Sequence, residues 1–219
     1  MDAQFWINAW NEGRTNFHQQ NYHEKLLQFF PPLRPHKGQS VLVPLCGKSK
    51  DMLWLSTLGL KVKGVELHQT AVDAFFSENK LQPEEKSLHG NFKRSKFLDI
   101  TVDCGDFFKL SETSVFDFVY DRASLVALPL SMRKNYVQII SQALKPGGKC
   151  LLIVYDYDQS KMDGPPFSID EKEIQSLYAH DFSITLLDSQ QPDREGIRFS
   201  ALESFKQSVY LLEKKGPLV

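Results

Sequence analysis

Residues Val41 to Glu66 read VLVPLCGKSKDMLWLSTLGLKVKGVE, and this stretch decides the fold. An apolar run from Val41 to Leu45 ends at a turn containing Gly47. A helix-patterned segment follows, roughly Ser49 to Leu58, with Gly59 as its C-terminal cap. A second β-rich run, Lys61 to Val65, ends in Glu66. Strand, glycine turn, helix, strand and acid is the grammar of a nucleotide-binding βαβ unit, with the acid about 20 residues beyond the turn. The turn lets backbone N–H groups approach a ligand, and the acid accepts hydrogen bonds from ribose hydroxyls.

The glycine pattern narrows the ligand. A dinucleotide fingerprint needs G-x-G-x-x-G, whereas Gly47 stands alone with Leu45 and Ser49 two residues either side. Gly47-Lys48-Ser49 looks like the end of a P-loop, but Leu42 occupies the position of that motif's first glycine. A ligand with ribose hydroxyls and little phosphate fits best, and S-adenosylmethionine is the common one.

The 219-residue chain suits a single α/β domain, with residues 1–38 as an N-terminal cap over the active site. Its net charge is −1, so no basic excess points to nucleic acid. The basic run Lys93-Arg94-Ser95-Lys96 reads as a solvated hairpin face. Cys46, Cys104 and Cys150 have neither disulfide nor metal-ligand spacing and read as buried reduced thiols. No signal peptide is evident and no apolar run approaches a membrane span, so a cytoplasmic protein is expected, and the near-neutral charge and self-contained fold suggest a monomer.

The first 30 residues are rich in aromatic side chains, and Phe5, Trp6, Ala9 and Trp10 have helical spacing. They fit an amphipathic helix packed on the domain, a cover for the ligand site using Trp10 and Phe17, or both. After Glu66, a helix is expected from about Thr70 to Asn79, then a β-hairpin over residues 87–103. Asp106 follows the third parallel strand, where an acid meets an adenine amino group or caps a helical turn beginning at Phe107. Phe116 to Arg122 reads as a fourth strand. Its terminal pair, Asp121 and Arg122, is either a structural ion pair or part of the crevice beyond the strand ends.

An amphipathic helix opening at Ser131 carries Tyr136, Ile139, Ile140, Ala143 and Leu144 on one face and stops at Lys145-Pro146-Gly147-Gly148. The most apolar run, Lys149 to Tyr155, is expected to be a central strand. A loop from Asp156 to Pro166 is a candidate substrate wall, and Ser168 to Glu171 fits a capping box for a helix reaching Tyr178. Two alternating runs, Ser183–Asp188 and Ser208–Glu213, read as a terminal antiparallel pair.

The whole order resembles a class I S-adenosylmethionine-dependent methyltransferase, with a doubly wound, mostly parallel, seven-stranded sheet. Pro44-Leu45-Cys46-Gly47-Lys48, the Trp6–Trp10 spacing, Thr15-x-Phe17-His18-Gln19, the run from Tyr120 to Leu128 and Gly164-Pro165-Pro166-Phe167 together resemble the thiopurine S-methyltransferase family. The resemblance runs from Phe5 to about Lys214. It implies that Trp10, Leu45, Glu66 and Arg122 contact the cofactor, Leu45 largely through its backbone. It also implies that Phe17 borders the substrate; His18 beside it is a further substrate candidate, and the polar stretch Gln190 to Arg198, which matches the family poorly, is expected to face the site through Arg194 or Arg198. The expected reaction is methyl transfer from S-adenosylmethionine to the sulfur of an aromatic or heterocyclic thiol, with Arg122 favouring the thiolate and Asp121 orienting it. No metal is required. The rivals are a methyltransferase acting on selenium or tellurium acceptors, and a domain that binds S-adenosylmethionine without turnover.

Overall fold

A computed structural model describes residues 3–15, 18–88, 92–191, 202 and 204–216. The first βαβ unit is as expected: β1 (Ser40–Pro44), α3 (Asp51–Thr57) and β2 (Lys61–Glu66), preceded by α1 (Ala3–Asn11) and α2 (Glu24–Phe29). The chain continues through α4 (Gln69–Glu78), β3 (Glu84–Ser87), β4 (Lys93–Phe97), β5 (Ile100–Cys104), β6 (Phe116–Arg122) and α5 (Leu130–Ala143). It ends with β7 (Leu144–Tyr157), α6 (Glu171–Tyr178), β8 (Phe182–Gln190) and β9 (Phe205–Lys214).

The strands form a nine-stranded sheet in the order β3-β4-β5-β2-β1-β6-β7-β9-β8. Its parallel pairs are β5–β2, β2–β1, β1–β6 and β6–β7, and β8 and β9 form the antiparallel pair at one edge. The seven strands from β5 to β8 are the expected sheet. The other two arise because Lys93–Phe97, expected as the polar side of a hairpin tip, is itself a strand antiparallel to β5. The turn falls instead at Leu98-Asp99, with Leu98 at φ 51°. The basic run is only partly a solvated face: Ser95 is buried, and Arg94 forms a two-pronged ion pair with Asp103 at 2.7 and 2.8 Å.

Strand parity divides the core. Val41, Val43, Phe118, Tyr120, Leu151 and Ile153 face α2, α3 and α4, packing on Leu26, Phe30, Met52, Leu55 and Phe75. Leu42, Val119, Leu152 and Val154 face α5 and α6, packing on Tyr136, Ile140, Ile174 and Tyr178. Helices therefore cover both faces of the parallel strands, and β7 is interior as its apolarity requires. The Lys145–Gly148 stretch appears inside β7 as an irregularity: pairing with β6 jumps from Phe116–Leu144 to Phe118–Lys149. The cap of α6 also differs from expectation. Asp170 accepts from the Glu173 N–H at 2.8 Å, while Ser168 Oγ accepts from the Tyr157 N–H.

Two contacts position the elements nearest the site. Gly64 lies in β2 where the turn after β1 crosses it: an added Cβ would meet Cys46 Sγ at 2.7 Å and Met52 Sδ at 2.9 Å. At the other end of the sheet, a bulge between Leu186 and Asp188 re-aims β8, and Asp188 Oδ2 lies 2.9 Å from Lys25 Nζ of α2. This contact is an ion pair without hydrogen-bond alignment, and the side chains are only 7% and 14% exposed for Lys25 and Asp188. Among the described residues no helix is long and apolar enough to cross a membrane.

Replacing Gly64 with Ala should destabilise the protein by about 1–3 kcal/mol through overpacking, read as a lower urea midpoint at unchanged slope. Lys25→Met leaves the Asp188 charge stranded and should cost roughly 3 kcal/mol, most of it recovered in Lys25→Met/Asp188→Leu. Strict additivity of the two substitutions in urea unfolding would show that the ion pair carries no coupling.

Candidate active site

The carboxyl ends of β1, β2, β5 and β6 are adjacent in the sheet, and the turns that leave them lie along one edge, where sheets of this kind hold ligands in a crevice. At its centre is Glu66, which is 5% exposed. Its Oε2 accepts the Gly47 N–H at 2.9 Å and its Oε1 accepts the His68 N–H at 2.9 Å. Its backbone carbonyl accepts the Gly105 N–H at 2.8 Å. One residue thus fastens the turns after β1, β2 and β5. Burial raises the Glu66 pKa, and the backbone donors oppose that shift. A carboxylate offers about four acceptor positions, so Glu66 retains capacity for ligand hydroxyls.

The turn after β1 has a conformation that glycine ordinarily supplies. Leu45 stands at φ 45° and Gly47 at φ 52°. Leu45 is held in this left-handed region by its partly buried side chain and by the following Cys46 N–H, which bonds the Val65 carbonyl at 3.0 Å. A nonglycine residue therefore keeps the backbone path expected where other nucleotide turns carry glycine.

Asp121 and Arg122 separate. Asp121 is fully buried beneath α5, where its carboxylate accepts from Tyr136 Oη at 2.7 Å and from the Leu125 N–H at 3.1 Å. Burial pushes its pKa up to about 6. Consecutive strand residues point to opposite faces, so Asp121 lies at the joint between β6 and α5, on the side of β6 opposite Arg122. Nor are the two an ion pair. Arg122 instead lies on the face of Tyr120, and its buried Nε has no partner among the described residues.

Around Arg122 the N-terminal segment is fastened to the crevice. Asp51, 3% exposed at the start of α3, accepts from the His23 N–H at 2.8 Å and from Tyr120 Oη at 2.9 Å. His23 in turn caps α2 by accepting the Lys25 N–H through Nδ1 at 3.2 Å. Burial, then the charges of Arg122 and Lys25, lower the His23 pKa to about 3, so its ring is neutral at physiological pH. His18 is also lowered, first by burial and then by Lys48, and its Nε2 is buried without a partner among the described residues. Neither Asp51 nor His23 carried a sequence signal, and Tyr120 was read only as part of the Tyr120–Leu128 run, because each acts through a partner remote in the chain.

Of the remaining candidates, Trp10 is 8% exposed on α1, which packs beside α4. Asp106 caps the turn at Phe107, accepting the Phe108 N–H at 3.0 Å, and directly follows Gly105 at the crevice edge. Phe17 and Arg194 lie outside the described residues. The Gly164–Phe167 loop is pinned to the segment after β6 by Phe167 N–H to Val126 O at 2.6 Å.

S-adenosylmethionine suits these residues: a buried acid with acceptor capacity meets a diol, and a left-handed turn exposes backbone. Comparison with known proteins agrees. The solved structure of a 1,6-didemethyltoxoflavin-N1-methyltransferase from Burkholderia thailandensis, holding S-adenosylhomocysteine, superposes with TM-score 0.68 at 17% identity, covering 97% of this chain and 87% of that one. A phosphoethanolamine N-methyltransferase 2 from Haemonchus contortus, in complex with S-adenosyl-L-methionine, gives TM-score 0.67 at 16% identity, over 88% and 52%. These likenesses carry the fold. Sequence relatives go further. The thiopurine S-methyltransferase of Vibrio atlanticus (strain LGP32) is 42% identical over 98% of this chain and 99% of its own. That of Bordetella pertussis (strain Tohama I) is 43% identical over 99% and 100%. A family model described as thiopurine S-methyltransferase matches residues 1–215. The chain belongs to the thiopurine S-methyltransferase family of S-adenosylmethionine-dependent enzymes.

Proposed function

We propose that this enzyme methylates the sulfur of an aromatic or heterocyclic thiol, such as a thiopurine, in the crevice between Glu66 and Arg122. The observation that carries the reading is the buried Nε of Arg122, without a partner among the described residues, on the same edge as the Glu66 carboxylate. When bound, S-adenosylmethionine supplies a methyl group already activated on a sulfonium sulfur. Glu66 would hold the ribose hydroxyls, Leu45 would offer its backbone, and Trp10 would cover the ligand. Asp106 remains available for the adenine through the part of its carboxylate not used in capping.

On the acceptor side, Arg122 would favour the thiolate over the thiol, with Phe17, His18 and Arg194 bordering the substrate. His18 and His23 are neutral, so Arg122 provides positive charge without competing imidazolium ions. The thiol proton passes to solvent before transfer. With the cofactor bound, the thiolate held by Arg122 would take the methyl group from the sulfonium, which would leave as a neutral sulfide. Catalysis comes mainly from in-line placement of the two sulfurs, which needs neither a metal nor a covalent enzyme intermediate. The free thiols Cys46, Cys104 and Cys150 support a reducing compartment, which we infer to be the cytoplasm.

Incubation with S-adenosylmethionine and 6-mercaptopurine should give S-adenosylhomocysteine only when the acceptor is present. Turnover confined to selenium or tellurium acceptors would redirect the assignment, and cofactor binding without any turnover would leave a binding domain. Glu66→Gln should weaken S-adenosylhomocysteine binding by about 1–3 kcal/mol in calorimetry. Arg122→Gln should raise the thiol KM more than the cofactor KM and move the acid limb of kcat/KM to higher pH. An unshifted limb would remove Arg122 from thiolate stabilisation.

A further inference from the structure

One buried group in the crevice has no task in this scheme. His68 occupies the position before α4, with extended backbone at φ −109° and ψ 124°, yet its side chain makes no capping hydrogen bond. Serine, threonine, aspartate and asparagine are favoured there because their side chains satisfy the first helical N–H groups. Here the His68 backbone N–H goes to Glu66 Oε1 at 2.9 Å, so the residue is rooted beside the carboxylate. The ring is free of helix duty. Its Nδ1 is buried and lacks a partner among the described residues. A buried ring nitrogen left unpaired is costly, and such atoms call for a ligand or a water.

The chemistry beside Glu66 says which partner fits. An ionised carboxylate only accepts hydrogen bonds, so it can engage the O–H groups of a ribose diol but leaves the hydroxyl oxygens without a donor. An imidazole in the Nδ1–H tautomer supplies that donor from the same place. The strand order also separates this group from the acceptor side: Glu66 and His68 belong to the end of β2, whereas Arg122 ends β6, with β1 between them.

We propose that His68 is a further cofactor-binding residue, hydrogen-bonding through Nδ1 to the adenosyl part of S-adenosylmethionine alongside Glu66. The proposal rests on the assignment of Glu66 to the ribose. It makes the grip on the diol two-sided, with one residue accepting and its second neighbour donating.

The test is calorimetric titration of wild type, His68→Phe, His68→Asn and Glu66→Gln with S-adenosylhomocysteine and with 5′-methylthioadenosine, which keeps the adenosine and lacks the amino acid. Phenylalanine keeps the ring without its nitrogen, and asparagine restores a polar atom near the position of Nδ1. His68→Phe should bind both ligands roughly tenfold more weakly. His68→Asn should recover much of the loss. Without ligand the melting temperature of His68→Phe should stay near wild type, while the shift produced by S-adenosylhomocysteine shrinks. Wild-type affinity in His68→Phe would overturn the proposal, as would a loss confined to S-adenosylhomocysteine. The Glu66→Gln result separates two failures. If His68→Phe alone has no effect, the His68 inference falls and the ribose assignment stands. If both variants bind normally, the assignment of the site itself falls.

Discussion

The crevice depends on a negative charge that the fold buries and then surrounds with backbone donors. Glu66 holds the Gly47 and His68 N–H groups through its two oxygens, and its own carbonyl holds Gly105. Those bonds offset part of the cost of burying a carboxylate. They also hold Leu45 and Gly47 where a turn left to itself would relax, since Leu45 in particular is in a region most residues avoid. A preorganised turn spends no ligand-binding energy on ordering itself. The acid is thus a structural keystone of the same crevice in which it is proposed to meet a ligand.

A second constraint is the alternation of side chains along β6. Tyr120 and Arg122 share a face with α2 and α3, while Asp121 is directed at α5. One acid therefore joins helix and sheet, and the neighbouring cation is free for the crevice. Asp51 completes the arrangement by accepting both the Tyr120 hydroxyl and the His23 N–H. Through it, the segment entering α2 is attached to the strand that carries Arg122.

Much of this was legible in the chain. The βαβ unit could be read because its grammar is local: a buried strand, one glycine, an amphipathic run and an acid. The terminal strand pair was visible by alternation, and β7 by its apolar run. What escaped reading was set by distant partners. Lys93–Phe97 looked like a polar tip because its charges were counted as solvated, whereas Arg94 is claimed by Asp103 across the ladder. The Asp121–Arg122 dipeptide could not be sorted without the parity of β6. Ser168 and Asp170 are both good caps, and the choice fell to Asp170 because Ser168 was taken by Tyr157. Asp51 drew no reading at all, since nothing local shows that it is buried against Tyr120.

The ion pair between Lys25 and Asp188 spans about three quarters of the chain in sequence, and this has a consequence for how the molecule is made. The cover that α2 gives to the sheet acquires its nearer, buried charge partner only when β8 has been synthesised and has paired with β9. Until then Lys25 has only the exposed Glu24 beside it as counter-charge, and the apolar side of α2 has an incomplete seat. Long-range closure of this kind is slow and leaves apolar surface exposed during folding. The segment carrying α2, made before β8, is in this sense fully secured only after it.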